Sequence, residues 1–191
     1  MSKGSLGEWS GWSDRAISIP GGNAGVPTPL EIHGGFTSSF EVQPTSSRAG
    51  NEDLALDAVT TYRRERCRIV LPAAADSFTI RRIRFHERAG GIHRWHARIL
   101  APETFPTLPR QDLTGSGTET YFYVPEPRYY GDVRVLRYAF EDYGNVMYNP
   151  ADGGEPTRIL TSHATREGVL RLPHRGYVTL SSDGGWQASA I

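Results

Sequence analysis

Glycine and proline recur as punctuation along this chain, 21 and 13 of them in 191 residues, and they separate short runs rich in Val, Ile, Tyr, Phe and Thr. A backbone interrupted so often cannot sustain long helices, because each glycine costs entropy there and each proline removes a donor. Short β-rich runs bounded by turn residues are strand signals. The spacing predicts ten strands: "LEIH" from 30, "FTSSFEV" from 36, "YRRERCRIVL" from 62, "SFTIRRIRFHE" from 77, "IHRWHARIL" from 92, "ETYFYV" from 119, "DVRVLRYAF" from 132, "NVMYN" from 145, "VLRL" from 169 and "YVTLSS" from 177.

That many short strands fit an all-β, two-sheet β-sandwich of jelly-roll type better than a closed barrel. A chain of this length and 38% hydrophobic content is expected to form a single domain, residues 30–191. Residues 1–29, including "SIPGGNAGVPTP", follow no sustained period and are expected to form an extended N-terminal arm. At most one short helix is expected near 52–60, capped by Asn51, with Leu54, Ala55, Ala58, Val59 and Tyr62 on one face.

Charge narrows the function classes. Basic and acidic residues number 21 each, so no global field draws the chain to nucleic acid or to an anionic membrane. The longest apolar run, "IVLPAAA", is far too short for a membrane span, and the N-terminus has no apolar signal core. A soluble protein without a signal peptide is expected, cytoplasmic or within an assembled particle. Cys67 stands alone, which excludes an intramolecular disulfide and a cysteine-built zinc site; within a strand it reads as an inert thiol.

The most informative stretch is "RRIRFHERAGGIHRWHARI", residues 81–99, with six arginines and three histidines around one Ala-Gly-Gly turn. A hairpin with a three-residue loop, Ala89-Gly90-Gly91, sets Phe85 opposite Trp95, Ile83 opposite Ala97 and Arg81 opposite Ile99. One face is then apolar, with Glu87 opposite His93 at its rim. The other carries Arg82, Arg84, His86, Arg94, His96 and Arg98. His93 points away from His86 and His96, and guanidiniums crowd those two, so no metal is expected. Like charges so close need an offset, and Arg82, Arg84, Arg94 and Arg98 are expected to have acidic partners within reach. Those partners would come from the chain itself, from another subunit, or from a phosphate, sulfate or acidic glycan.

Aromatic contacts are the second theme. In "GEWSGWSD" the spacing of Trp9 and Trp12 matches a receptor-module signature, but its placement and the lack of cysteines argue against that relationship. The two indoles are expected to anchor the arm on the protein or on a neighbour. "YFYVPEPRYYGD", residues 121–132, places Arg128, Tyr129 and Tyr130 on a loop, where they suit an interface or a sugar-stacking site. The acidic and amide residues of 141–155 could gather around calcium, but their spacing departs from the helix-loop-helix calcium pattern and Asp-Gly-Gly is ordinary turn chemistry. "SSDGGW" reads as a last hairpin turn, with Trp186 docking the tail.

No nucleophile elbow, phosphate loop or zinc-protease pattern is present, so no cofactor and no enzymatic role are expected. The reading is of a structural or interaction protein. It would be a subunit of a larger, oligomeric assembly such as a virus or phage particle or a contractile injection device, contacting other protein subunits through its arm, the aromatic loop and the Arg-rich face. The alternative is a carbohydrate-binding β-sandwich module, and a small β-fold enzyme is third.

Overall fold

The computed structural model describes residues 7–20, 25–34, 39–46, 66–83, 94–109, 111–125, 134–162 and 165–191, with the side chains of 39, 82 and 83 outside that description. The described residues are all-β apart from a single 3-10 turn, Pro102–Thr104. None of their helices is long and apolar enough to cross a membrane. The expected helix near 52–60 lies outside the described residues. All strand pairings between named strands are antiparallel.

The chain divides into two compact units, Met1–Ala101 and Pro102–Ile191, each with its own core, in place of the single domain expected from length. The first unit is a two-sheet sandwich. One sheet has four strands in the order β1 (Glu8–Gly11), β7 (Trp95–Ile99), β3 (Thr28–Gly34) and β5 (Arg66–Leu71). The other has three, β2 (Arg15–Ser18), β6 (Ser77–Ile83) and β4 (Ser39–Thr45). Alternate residues of both sheets meet in one core: Leu30, Ile32, Ile69, Leu71, Trp95 and Ala97 from the first, Ile17, Phe40, Val42, Phe78 and Ile80 from the second.

Two expectations are corrected here. Residues 8–11 and 15–18 of the expected arm are strands, one in each sheet, and Trp9 packs edge-on against Phe78 with ring centroids 5.8 Å apart. Packing that partly buried indole against the core needs the backbone beside it fixed, and edge strands do so. The 81–99 hairpin also fails, because β6 and β7 belong to different sheets. Arg81 pairs with Glu41 and Ile83 with Ser39, while Ala97 pairs with Trp9 and Ile32 and Ile99 with Leu30. The alternation within β7 survives: Trp95 and Ala97 are buried, and His96 and Arg98 take the reverse face.

The second unit is built along one long strand, β13 (Gly176–Ala190). On one side it pairs with β8 (Leu113–Tyr123) throughout. On the other, its first half pairs with β10 (Gly144–Pro150) and its second with β9 (Arg134–Phe140). β11 (Thr157–Leu160) extends the sheet beyond β10, and β12 (Glu167–Leu172) beyond β9. The changeover falls at a register shift between Ser182 and Gly185. "SSDGGW" is therefore a bulge inside a continuous strand and not a hairpin turn; a bulge uses the same permissive residues to bend a strand without reversing it. Leu136, Leu172, Val178 and Leu180 are fully enclosed in this core with Trp186.

Two buried phenols give this unit an alkaline limit. Burial pushes Tyr148 up to about 12; the hydrogen bond its hydroxyl donates to the His174 carbonyl opposes this, and Asp152 adds to it. Burial, then Glu103, raises Tyr177 to about 12, against the pull of Arg175. An unfolded tyrosine ionises near 10, so the unfolded chain releases these protons first. The stabilisation is complete below that pH and is lost as pH rises toward 12. We expect stability to fall above about pH 10, more shallowly in Tyr148→Phe. An alkaline loss of β-sheet circular dichroism equally steep in Tyr148→Phe would contradict this.

Candidate functional site

The outer face of the four-stranded sheet carries a ladder of charged side chains. Strand alternation turns Leu30 and Ile32 of β3 inward and therefore Glu31 and His33 outward; in β5 the same rule turns Arg66 and Arg68 outward. Register then sets Glu8, Arg98, Glu31 and Arg68 in one row across β1, β7, β3 and β5. Ser10, His96, His33 and Arg66 form the next row.

Glu31 is the centre of this ladder and is only 2% exposed, although it does not face the core. Arg98 covers it, with Nη2 2.8 Å and Nε 2.9 Å from Oε1. Arg68 Nε lies 3.5 Å from Oε2 and Arg66 Nη1 3.6 Å from Oε1. Three guanidinium groups thus remove one carboxylate from water, and the carboxylate offsets their mutual repulsion.

In the next row His33 and His96 stack with centroids 4.8 Å apart and an interplanar angle of 18°. Burial, then His96 and Arg66, hold the His33 imidazole below the ordinary histidine range; Glu31 pulls the other way, and Arg98 adds to the depression. The two rows frame a cleft of about 180 Å³ lined by Glu8, Glu31, His33, Arg66, His96 and Arg98. At the end of this face the Arg94 guanidinium lies over the Trp12 ring, 5.7 Å from its centroid, and Trp12 is 60% exposed.

The expected Arg-rich face is only partly assembled. His96 and Arg98 lie together on the outer face, where Arg98 has Glu31 as its acidic partner; Arg94 precedes β7 and sits over the Trp12 ring. Arg82 is on β6 in the other sheet, opposite Phe40, so it does not join them. Arg84 and His86, the Glu87 and His93 pair, and Arg128, Tyr129 and Tyr130 lie outside the described residues. Of the two tryptophans, Trp9 anchors its strand and Trp12 does not. The residues that complete the ladder, Glu8, Glu31, His33, Arg66 and Arg68, carry no motif that marks them in the sequence; alternation within "LEIH" and "RRERCRIVL" is the available signal.

Among the described residues no group of three or more His, Cys, Asp or Glu is placed to hold a metal ion. The calcium reading of 141–155 meets a geometric obstacle. Glu141 and Asp142 precede β10 and Asp152 and Glu155 follow it, separated by roughly 20 Å of extended strand. Glu141 is already engaged, its Oε2 accepting from the Gly185 amide at 3.0 Å.

The second unit has a groove of about 670 Å³ across β12, β9, β13 and β8. Register aligns Glu167, Ala139, Gln187 and Thr114 in one row, with Val169, Arg137 and Ser189 in the next. Its lining mixes polar side chains, among them Arg137, Glu167 and Gln187, with apolar ones such as Leu113 and Val169.

No protein-family model matches the sequence, and no curated protein is similar to it. Among solved structures, the human MASP-1/3 CUB1-EGF-CUB2 domain is similar over 98% of this chain and 94% of that one, at 12% identity and a TM-score of 0.27. A likeness at that score carries no argument, and the fold rests on the strand pairing described above.

Proposed function

We propose that this chain is a structural or interaction protein, a subunit of a larger protein assembly of the kind found in virus or phage particles, and that it meets a neighbouring subunit through the outer face of its four-stranded sheet. The observation that carries the reading is Trp12, which stands 60% exposed with the Arg94 guanidinium over its ring, next to the end of β1, the strand that carries Glu8 of the ladder. Tryptophan and arginine supply a disproportionate share of the energy at protein interfaces. The expected outcome is a complex larger than the monomer in native mass spectrometry. A photo-reactive phenylalanine analogue at Ser10 should cross-link within that complex, and Trp12→Ala should weaken it by about tenfold or more. A chain that stays monomeric at its native concentration and forms no such cross-link overturns the proposal.

A second reading, carbohydrate binding, draws on the groove of the second unit, whose volume and mixed lining of apolar side chains with Arg137, Glu167 and Gln187 suit a short saccharide. Glycan retention by the monomer, lost in Gln187→Ala and unaffected by Trp12→Ala, would favour it over the first.

A further inference from the structure

Among the described residues, the ladder centred on Glu31 sets three guanidinium groups, Arg66, Arg68 and Arg98, against two carboxylates, Glu31 and Glu8. Arg66, Arg68 and Arg98 all approach Glu31, and Glu8 at the far end of the row is the second carboxylate of that row. The arginines do not share Glu31 equally. Arg98 takes it at 2.8 Å, whereas Arg66 reaches it only at 3.6 Å and is 63% exposed. A guanidinium has five N–H donors, and one long contact leaves most of them directed elsewhere.

The cleft beside Arg66 is small, about 180 Å³, or roughly the share of six liquid waters. Its donors come from three strands: His33 on β3, Arg66 on β5, and His96 and Arg98 on β7. The charged groups facing His33 are Glu31 on its own strand, Arg66 on β5, and His96 and Arg98 on β7, with Glu8 of β1 also on the cleft wall. Burial is the first reason a proton is disfavoured on His33; His96, Arg66 and Arg98 add to it, against the pull of Glu31. The part of this that comes from the guanidiniums favours an anion, whereas burial by itself favours no charge of either sign.

The geometry points to this cleft as a binding site for a tetrahedral oxyanion, sulfate or phosphate, held by Arg66, His33 and His96 and backed by Arg98; the assignment rests on the reading of this face as the chain's working surface. Donors drawn from three strands line one small cleft, which suits a ligand such as a tetrahedral oxyanion that presents oxygens in several directions. A planar carboxylate offers two. A bound dianion also reverses the field at His33, so that binding takes up a proton there and tightens as pH falls through the histidine range.

The test uses the intact chain titrated with sodium sulfate at constant ionic strength, followed by calorimetry and by the ring resonances of His33 and His96. Sulfate keeps its charge between about pH 6 and 8, so any pH dependence belongs to the protein. Saturable binding that shifts both rings and strengthens toward about pH 6 is the expected result. Arg66→Gln should weaken it about tenfold with only a small loss of thermal stability, because that side chain is largely solvated. His33→Gln should flatten the pH dependence. Phosphate should compete with sulfate for the same site.

Sulfate that causes no saturable shift, or binding indifferent to both Arg66→Gln and His33→Gln, overturns the site. A glutamate-rich peptide that binds where neither sulfate nor phosphate does also overturns it, while keeping the face as a protein contact. Sulfate binding by a chain that assembles with nothing sustains the site and removes the subunit reading.

Discussion

Glu31→Ala should lower the stability of the first unit by about 2–3 kcal/mol, seen as a reduced urea midpoint with an unchanged slope. The carboxylate lies 2% exposed among Arg66, Arg68 and Arg98, which are 63%, 37% and 45% exposed. Removing one member of a buried ion pair usually costs about 3–5 kcal/mol, because the charge left behind has lost its counterion. Here the stranded charges are guanidiniums still partly in water, which places the loss at or below the lower end of that range. Glu31→Gln should be no milder, since it keeps the shape and turns an amide N–H toward the arginines. Arg66→Ala, by contrast, should cost under about 1 kcal/mol. Removing Glu31 and Arg98 together should cost less than the two single losses added, because each change relieves the penalty left by the other. If Glu31→Ala falls within about 0.5 kcal/mol of the parent, the ladder is surface decoration and holds no strands together.

The features legible in the sequence are local ones. Alternation in "WHARI" assigns Trp95 and Ala97 to the core and His96 and Arg98 to the reverse face, because a side-chain period of two needs no knowledge of the partner strand. The partner is not legible. Residues 77–83 and 95–99 read equally well as one hairpin or as strands of two facing sheets, since both arrangements bury the same alternate residues. The consequence for the candidate site is large: the counterion for Arg98 is Glu31, sixty-seven positions away, and not a residue of the same hairpin. The same ambiguity hides the bend in β13. Asp183, Gly184 and Gly185 suit a reversal and a bulge alike, and only the pairing of β8 along the whole strand decides between them. Nor does composition mark the boundary at Ala101 and Pro102, because both units draw on the same mixture of strand and turn residues. One long-range signal is present in the residue pattern. Glycines at 11 and 115 pair with tryptophans at 95 and 186, and an indole laid over a cross-strand glycine is a known device for covering an exposed backbone.

That device sets up the second large effect, in the other unit. Trp186 is 2% exposed, contacts Tyr121 edge-on with centroids 6.5 Å apart, and faces Gly115 on β8. Trp186→Ala should cost about 3–5 kcal/mol, the usual loss for emptying an indole-sized space in a core that cannot fully collapse. Gly115→Ala should also destabilise, by about 1–3 kcal/mol, because the new methyl would overlap Trp186 Cζ2 and must displace the indole. The informative variant carries both changes. With the indole gone the alanine methyl meets no clash and fills part of the space, so the double variant should lie close to Trp186→Ala alone, well short of the two losses added. Strict additivity would mean that the indole does not rest on Gly115 in solution. Gly11 lies under Trp95 in the same way in the first unit, with a methyl there 2.5 Å from the indole, so Gly11→Ala and Trp95→Ala should reproduce the sign of this coupling. Agreement between the two pairs would tie both cores to one rule: the glycine is required by the ring that covers it and not by any bend in the chain.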